Sequence, residues 1–149
     1  MQRKAGFSLI EVMTAMVVAL ILAAIAYPSY ARYMVRLRRV EAQAGLLQIL
    51  QDQERYYTLH NAYLPFSADS ADEDARHFRW WLGNSAAHSA YELSGRSCDG
   101  LPLTSCIELR AEPGTGRVDS HFRDPGCGVL KLTSAGQHSA EGSETGCWP

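Results

Sequence analysis

The chain has 149 residues, of which 46% are hydrophobic, and its formal net charge at pH 7 is −2. This length allows one domain, or slightly less once a membrane segment is subtracted. Residues 1–60 contain seven Lys/Arg and four Asp/Glu, a balance of +3, whereas residues 61–149 contain seven and twelve, a balance of −5. The acidic balance of the second part argues against a nucleic-acid-binding surface there, because such surfaces are basic.

The amino-terminal part of the chain contains an apolar segment, residues 7–27, with a single charged residue, Glu11. The segment is long enough to cross a bilayer as a helix. The basic residues Arg3 and Lys4 precede it and predict a cytoplasmic amino terminus. A carboxylate near the start of a membrane-length segment is costly, so we expect Glu11 to have a partner.

A secretory signal cleaved after Ala26 is an alternative interpretation of this segment. Ala24-Ile25-Ala26 has the small-x-small pattern that signal peptidase accepts. Glu11 counts against this alternative, because a charge inside the apolar region weakens insertion and has no use once the signal is removed.

Residues 3–13 combine a short basic leader ending in Gly6, a phenylalanine at the next position, and Glu11 at the fifth position after the glycine. This pattern resembles the class III signal of type IV pilins and pseudopilins. The resemblance implies that prepilin peptidase cleaves between Gly6 and Phe7 and that the new Phe7 amino group is methylated. It also implies a location in the inner membrane with the following domain in the periplasm, then in a pilus at the cell surface. The implied partners are the inner-membrane assembly platform and other pilins and minor pilins in a helical fibre.

The charges that cleavage creates give Glu11 a role in subunit assembly. The amine of Phe7 and the carboxylate of Glu11 lie one helical turn apart. In an apolar fibre core, the carboxylate of one subunit can neutralise the amine of its neighbour, and an unpaired charge there is costly. The hypothesis is that Glu11 sets the axial register between subunits.

Residues 28–59 predict an amphipathic continuation of the first helix, kinked at Pro28. Apolar positions recur there at three- and four-residue spacing: Leu37, Val40, Ala44, Leu47 and Leu50. This spacing predicts that these residues form the face that packs on the rest of the protein.

Residues 60–149 are predicted to form a globular head. Ser70-Ala71-Asp72-Glu73 fits a capping box and predicts a short helix towards Phe78. Alternating apolar and polar residues predict strands at residues 91–94, 107–111 and 129–133. The predicted fold is therefore α+β, with the amphipathic half of the helix packed on an antiparallel sheet of about three to four strands, which is also the fold of type IV pilins.

Four cysteines, all in the last third of the chain, predict disulfides in an exported domain. Cys98 and Cys106 flank a predicted hairpin turn, which favours their pairing and leaves Cys127 with Cys147. The sequence from Cys127-Gly128 to Cys147-Trp148 resembles the carboxy-terminal disulfide loop of pilins. The likeness is greatest to the E-type minor pilins of type IVa pili.

The sequence has no Gly-x-Ser-x-Gly, His-Glu-x-x-His or phosphate-binding loop, and we predict no catalytic residue, cofactor or metal site. The predicted domains are a leader (1–6), a membrane and assembly helix (7–27), its amphipathic continuation (28–59) and the head (60–149). The predicted function is that of a minor pilin needed for fibre assembly or initiation and for display in adhesion and twitching motility.

Two alternative functions stay open at this point. One is a type II secretion pseudopilin, which a calcium site in the carboxy-terminal loop would favour. The other is a DNA-binding competence pilin, which would need a basic stripe on the head. The head arginines and lysine that would have to cluster for that stripe are Arg96, Arg110, Arg117, Arg123 and Lys131.

Overall fold

The structure is a computed structural model that describes residues 8–149. Its secondary structure comprises one long helix, two short 3-10 turns and four strands. In chain order these are α1 (Leu9–His60), the turns Ala75–His77 and Ala86–His88, β1 (Tyr91–Ser97), β2 (Ile107–Pro113), β3 (Leu130–Thr133) and β4 (His138–Ala140). The chain divides into two units, one ending at Arg36 and one spanning Leu37–Pro149.

The prediction of a single helix that continues past Pro28 is confirmed, because α1 is one helix of 52 residues with this proline inside it. Helix-forming residues dominate the segment after the proline. The helix ends at Asn61, whose φ of 53° lies in the left-handed region. The Asn61 N–H donates to the carbonyl of Tyr57 at 2.8 Å, which is a common way to end a helix.

The four strands form one antiparallel sheet in the order β1-β2-β3-β4. Tyr91 lies opposite Pro113 in the first pair, Leu109 opposite Leu132 in the second, and Leu132 opposite His138 in the third. The three predicted strands are confirmed, and β4 completes the predicted range of three to four.

The core of residues 37–149 lies between α1 and one face of the sheet. Alternate residues of β1, β2 and β3 are buried, as the period of two requires. Leu93, Leu109 and Leu130 belong to the same buried cluster as Leu46 and Ile49 of α1. The helix thus closes one side of the sheet.

The prediction of a short helix after Ser70 is wrong. The structure has only the 3-10 turn Ala75–His77. Asp72, rather than Ser70, accepts the local backbone hydrogen bonds, from the N–H groups of Asp74 (2.8 Å) and Ala75 (3.3 Å). The side chain of Ser70 instead accepts a hydrogen bond from the backbone of Ser67, which precedes it.

Two disulfides cross-link the head, Cys98–Cys106 and Cys127–Cys147. The first closes the connection between β1 and β2, and the second joins the segment before β3 to the carboxy terminus. The β1–β2 connection also forms hydrogen bonds with the end of α1 and with the residues that follow it. Tyr57 donates through its hydroxyl to the carbonyl of Thr104, and the Tyr63 N–H donates to the carbonyl of Leu103, both at 3.0 Å.

Candidate functional site

The first unit consists of the apolar part of α1, in which every described residue from Ser8 to Tyr33 is exposed. An 18-residue window of α1 has a mean hydropathy of 2.6 and is long and apolar enough to cross a membrane. Glu11 lies in the first turn and is exposed. Gly6 and Phe7, the predicted cleavage site, lie outside the described residues.

Of the five apolar residues predicted to form the packing face of α1, only Leu50 packs against the core, where it is partly buried. Leu37, Val40 and Leu47 are 49%, 60% and 49% exposed. Together with the exposed Ala44 we call them the exposed helix face. The buried residues of α1 follow a different line around the helix: Arg39, Ala42, Leu46, Ile49 and Gln53. Spacing alone could not separate the two lines, because both repeat every three or four residues.

Arg39 is the unexpected member of the buried face. Its Nε and Nη2 donate to the two carboxylate oxygens of Asp124 at 2.9 and 2.8 Å, which is bidentate pairing. Nη2 also donates to Glu144 at 3.1 Å. The hydroxyl of Tyr91, on β1, donates to Asp124 at 2.7 Å. We call these four residues the Arg39 cluster.

The Arg39 cluster alters the ionisation of its members in directions that geometry explains. Burial by itself raises the pKa of Asp124, but hydrogen bonds from Arg39 and Tyr91 outweigh it, and the net pKa is lowered. Burial, followed by its hydrogen bond to Asp124, raises the pKa of Tyr91. The hydrogen bond to Asp124 raises the pKa of Arg39, so the cluster keeps its charges near neutral pH.

The carboxylates of the Arg39 cluster do not form a metal site. Asp124, Glu144 and the sulfur of Cys127 place ligand-type atoms within 4.8 Å of one another. The sulfur, however, is bonded to Cys147, and a disulfide sulfur is not a thiolate ligand. The guanidinium of Arg39 already supplies the positive charge that both carboxylates need.

The solvent face of the sheet, which we call the outer sheet face, carries alternating charges that neutralise one another. Four of the five basic residues that a DNA-binding stripe would use pair there with carboxylates. The pairs are Arg96–Glu108, Arg110–Glu108, Arg110–Glu141, Arg117–Glu92, Arg117–Asp69 and Lys131–Glu141. Lys131 and Arg110 also lower the pKa of Glu141 by hydrogen bonding and charge. This face is therefore not a basic stripe.

The fifth basic residue, the two other head arginines and Arg55 of α1 are placed differently. Arg123 donates to the backbone carbonyls of Ser120 and Phe122 at 2.6 and 2.8 Å. Arg79 stacks over the Trp81 ring, with its guanidinium carbon 5.6 Å from the ring centroid. Within residues 8–149, Arg55 and Arg76 are exposed and form no ion pair.

Comparison with known proteins shows which family the chain belongs to. A family model described as "Type IV minor pilin ComP, DNA uptake sequence receptor" matches residues 28–131. The chain belongs to this family of type IV minor pilins. A second model, the prokaryotic N-terminal methylation motif, matches residues 1–27 of the pilin. The resemblance drawn from residues 3–13 is thereby confirmed.

Individual relatives are pilins as well. The chain is 30% identical over 101 residues to "Type IV major pilin protein PilA" of Myxococcus xanthus, covering 68% of this pilin and 45% of that protein. It thus spans less than half the length of this curated relative. Among solved structures, it is similar to a type IV pilin of Shewanella oneidensis, with 27% identity, a TM-score of 0.48 and coverage of 77% and 98%. It is also similar to the non-core minor pilin PilV of Neisseria meningitidis, with 20% identity, a TM-score of 0.49 and coverage of 77% and 94%.

The pattern of residues around Arg39 does not indicate the Arg39 cluster of this pilin. Arg39 stands among three other arginines, Arg32, Arg36 and Arg38, a composition typical of a solvated helix face. One signal in the sequence could have identified its partners: Asp124 and Glu144 each precede a cysteine by three residues, and those two cysteines form one disulfide. Acids in equivalent positions on two joined segments indicate a shared cation.

Proposed function

We propose that this minor pilin is a structural subunit that enters a type IV pilus through α1 and displays its head on the fibre. The observation that carries the proposal is the exposed apolar surface of α1. It comprises the apolar part up to Tyr27 and the exposed helix face of the second unit. Burying apolar surface is favourable by about 25 cal/mol per Å². Within the described chain nothing covers these side chains, so helices of neighbouring pilins are their natural partners.

The amino-terminal chemistry proposed from the sequence fits this role. Prepilin peptidase cleaves between Gly6 and Phe7, and the new amine of Phe7 is methylated. Before assembly the chain lies in the inner membrane with its head in the periplasm. The exposed carboxylate of Glu11 then pairs with the amine of a neighbouring subunit, because a single unpaired charge in an apolar bundle is costly.

The proposed role is structural rather than enzymatic, and the pilus is preferred to the type II secretion alternative. All four cysteines are in disulfides and cannot act as thiolate nucleophiles. The two carboxylates in the carboxy-terminal loop that could have held calcium in a secretion pseudopilin are bound by basic side chains instead, Glu144 by Arg39 and Glu141 by Lys131 and Arg110.

The test is deletion of the gene, followed by counting of surface fibres and location of the tagged protein after shearing. We expect fewer fibres on the deletion strain and recovery of the tagged protein with sheared fibres. Complementation with the wild-type chain is the control, and a Glu11→Ala chain tests the register role separately. Normal fibre numbers together with sheared fibres that lack the protein would contradict the proposal.

A second candidate function, DNA binding by the head, is favoured by one specific observation. The family model that matches residues 28–131 is described as a DNA uptake sequence receptor. The outer sheet face does not suit this role, because its basic residues are already paired. Any DNA contact is therefore expected at Arg55 and Arg76, because within the described chain their guanidinium groups are bound neither by a carboxylate, nor by backbone carbonyls as in Arg123, nor by an aromatic ring as in Arg79.

Binding of the full chain in detergent to a short labelled DNA duplex tests this second function. DNA affinity that depends on phosphate contacts falls steeply with salt, with a slope of about −0.9 per contact in logarithmic units. We expect Arg55→Gln and Arg76→Gln to reduce both affinity and slope, and the control Arg96→Gln, which removes a paired arginine, to change them little. Salt-insensitive binding, or no binding by the wild type, would contradict DNA binding.

A further inference from the structure

The carboxy-terminal disulfide is flanked by two copies of one short pattern. Asp124-Pro125-Gly126-Cys127 and Glu144-Thr145-Gly146-Cys147 each place an acid three residues before a cysteine and a glycine directly before it. We call these segments the two acidic arms. Their cysteines join each other and no other cysteine.

One guanidinium holds both acidic arms. Nη2 of Arg39 lies 2.8 Å from Asp124 and 3.1 Å from Glu144, and Nε reaches the second oxygen of Asp124 at 2.9 Å. The side chain of Asp124 is fully buried, whereas that of Glu144 is 45% exposed. A single side chain from the helix thereby fixes the acids of two segments that are twenty residues apart.

Backbone contacts align the two arms beside the guanidinium. The Glu144 N–H donates to the carbonyl of Gly126 at 3.0 Å, and the Gly142 N–H donates to the carbonyl of Cys127 at 2.8 Å. A β-carbon on Gly126 would overlap the carboxylate of Glu144, so this glycine leaves the space that the acid needs. Asp124 also accepts a hydrogen bond from the Cys127 N–H at 3.2 Å, which ties the acid to its own cysteine.

The helix supplies a second contact one turn from Arg39. Nε2 of Gln43 donates to the carbonyl of Cys147 at 2.6 Å. Arg39 and Gln43 therefore hold both ends of the disulfide against the same helix face, before any bond between the sulfurs is considered.

We propose that Arg39 is a positioning residue that brings Cys127 and Cys147 together for oxidation. The oxidant is a disulfide. The thiolate of one cysteine attacks it to form a mixed disulfide, and one oxidant thiol leaves. The thiolate of the other cysteine then attacks the mixed disulfide, forms the Cys127–Cys147 bond and releases the second oxidant thiol. The two thiols lose two electrons to the oxidant and two protons to solvent and the released thiolates. Arg39 acts in the second step. By holding the two segments together, it raises the effective concentration of the free thiolate at the mixed disulfide.

The other disulfide of the chain is a built-in control. Cys98 and Cys106 are only eight residues apart, and the pairing of β1 with β2 brings them together. No member of the Arg39 cluster contacts them in the described chain. Closing the longer loop between Cys127 and Cys147 costs more chain entropy, and this pair therefore gains more from a residue that holds its two segments together. Four cysteines allow three pairings, and the contacts of Arg39 favour the one that joins Cys127 to Cys147.

The test uses the full chain in detergent micelles, equilibrated with mixtures of reduced and oxidised glutathione. Free thiols are trapped by alkylation, and each disulfide is quantified by mass spectrometry of peptides. The variants are Arg39→Gln, Glu144→Gln and the neighbouring control Arg38→Gln, which removes only a surface pair with Glu41. In Arg39→Gln we expect the effective concentration of the Cys127–Cys147 pair to fall about tenfold, because charge-assisted hydrogen bonds are lost. Cys98–Cys106 should stay within about twofold in every variant.

An unchanged Cys127–Cys147 pair in a folded Arg39→Gln chain would overturn the proposal, because it would show that the guanidinium does not position the pair. An equal loss of both disulfides in Arg39→Gln would show a general loss of fold, and Glu144→Gln, at a half-exposed residue, then decides between the outcomes. A selective loss of Cys127–Cys147 in that variant supports the proposal, and its absence contradicts it.

Discussion

Between residues 37 and 53, α1 buries polar side chains on one face and exposes apolar side chains on the other. The face that packs on the sheet includes an arginine and a glutamine, Arg39 and Gln53, whereas Val40 and Leu47 point to solvent. Both buried polar side chains are hydrogen-bonded: Arg39 donates to two acids, and Gln53 bonds to both backbone groups of Leu64. The buried face thus stabilises the fold of one chain, and the exposed helix face is the surface that we propose for contacts with other chains.

The largest expected effect is on the buried face, at Arg39. Arg39→Ala leaves Asp124 buried without its cation, and losing one partner of a buried pair costs about 3–5 kcal/mol. Denaturant unfolding of the head, followed by near-ultraviolet circular dichroism, measures this loss. The control Arg38→Ala removes a surface pair and should cost less than about 1 kcal/mol. Similar losses at both arginines would show that the cluster does not stabilise the fold.

Two adjacent leucines of α1, one on each face, allow the clearest comparison of the two faces. Leu46 is fully buried and Leu47 is 49% exposed. Leu46→Ala should lower the free energy of unfolding by about 2–5 kcal/mol, because it opens a cavity. Leu47→Ala should change it by no more than about 0.5 kcal/mol, as substitutions at exposed positions usually do. The same unfolding experiment measures both, and equal effects would refute the assignment of the two faces.

A smaller effect is expected at Gln53. Its Nε2 donates to the Leu64 carbonyl at 2.7 Å, and its Oε1 accepts from the Leu64 N–H at 3.0 Å. Gln53→Ala leaves both backbone groups without these partners. Because Leu64 is only partly buried, water can reach part of the gap, and the expected cost is about 1–3 kcal/mol in total. Gln51→Ala, at an exposed position of the same helix, is the matched control. Equal melting temperatures for the two variants would contradict this role of Gln53.

The smallest effect expected near neutral pH is the change in the free energy of unfolding with pH. Because the pKa of Asp124 is lower in the folded protein than in the unfolded chain, its contribution to stability is complete above the unfolded value. It is lost as the pH falls below about 4 and through the folded pKa. Unfolding curves from pH 7 to 2 should show this decline in the wild type and a weaker one in Asp124→Asn. Parallel curves for the two proteins would contradict the prediction.

Much of the fold follows from local pattern, and the Arg39 cluster does not. Helix formers, alternating strands and cysteines beside turns are signals within a few residues, which explains why α1, three strands and the disulfide pairing were predictable. Arg39 and Asp124 are 85 residues apart, and only tertiary packing brings them together. The exposed helix face was misassigned for a related reason. A protein that assembles has two apolar surfaces to cover, and periodicity does not say which one its own sheet covers.

The central claim is that the exposed helix face and the apolar part of α1 pack against other pilins. Its most direct test is the amount of tagged protein in sheared fibres for Leu47→Asp and Val40→Asp, with Gln48→Asp as a control that adds the same charge at an exposed polar position about 100° around the helix from Leu47. We expect at least about a tenfold loss of fibre-bound protein for the first two, because an unpaired charge is costly to bury between helices. Gln48→Asp should assemble normally, with equal amounts of all variants in the membrane. Wild-type levels of Leu47→Asp and Val40→Asp in fibres would contradict the claim.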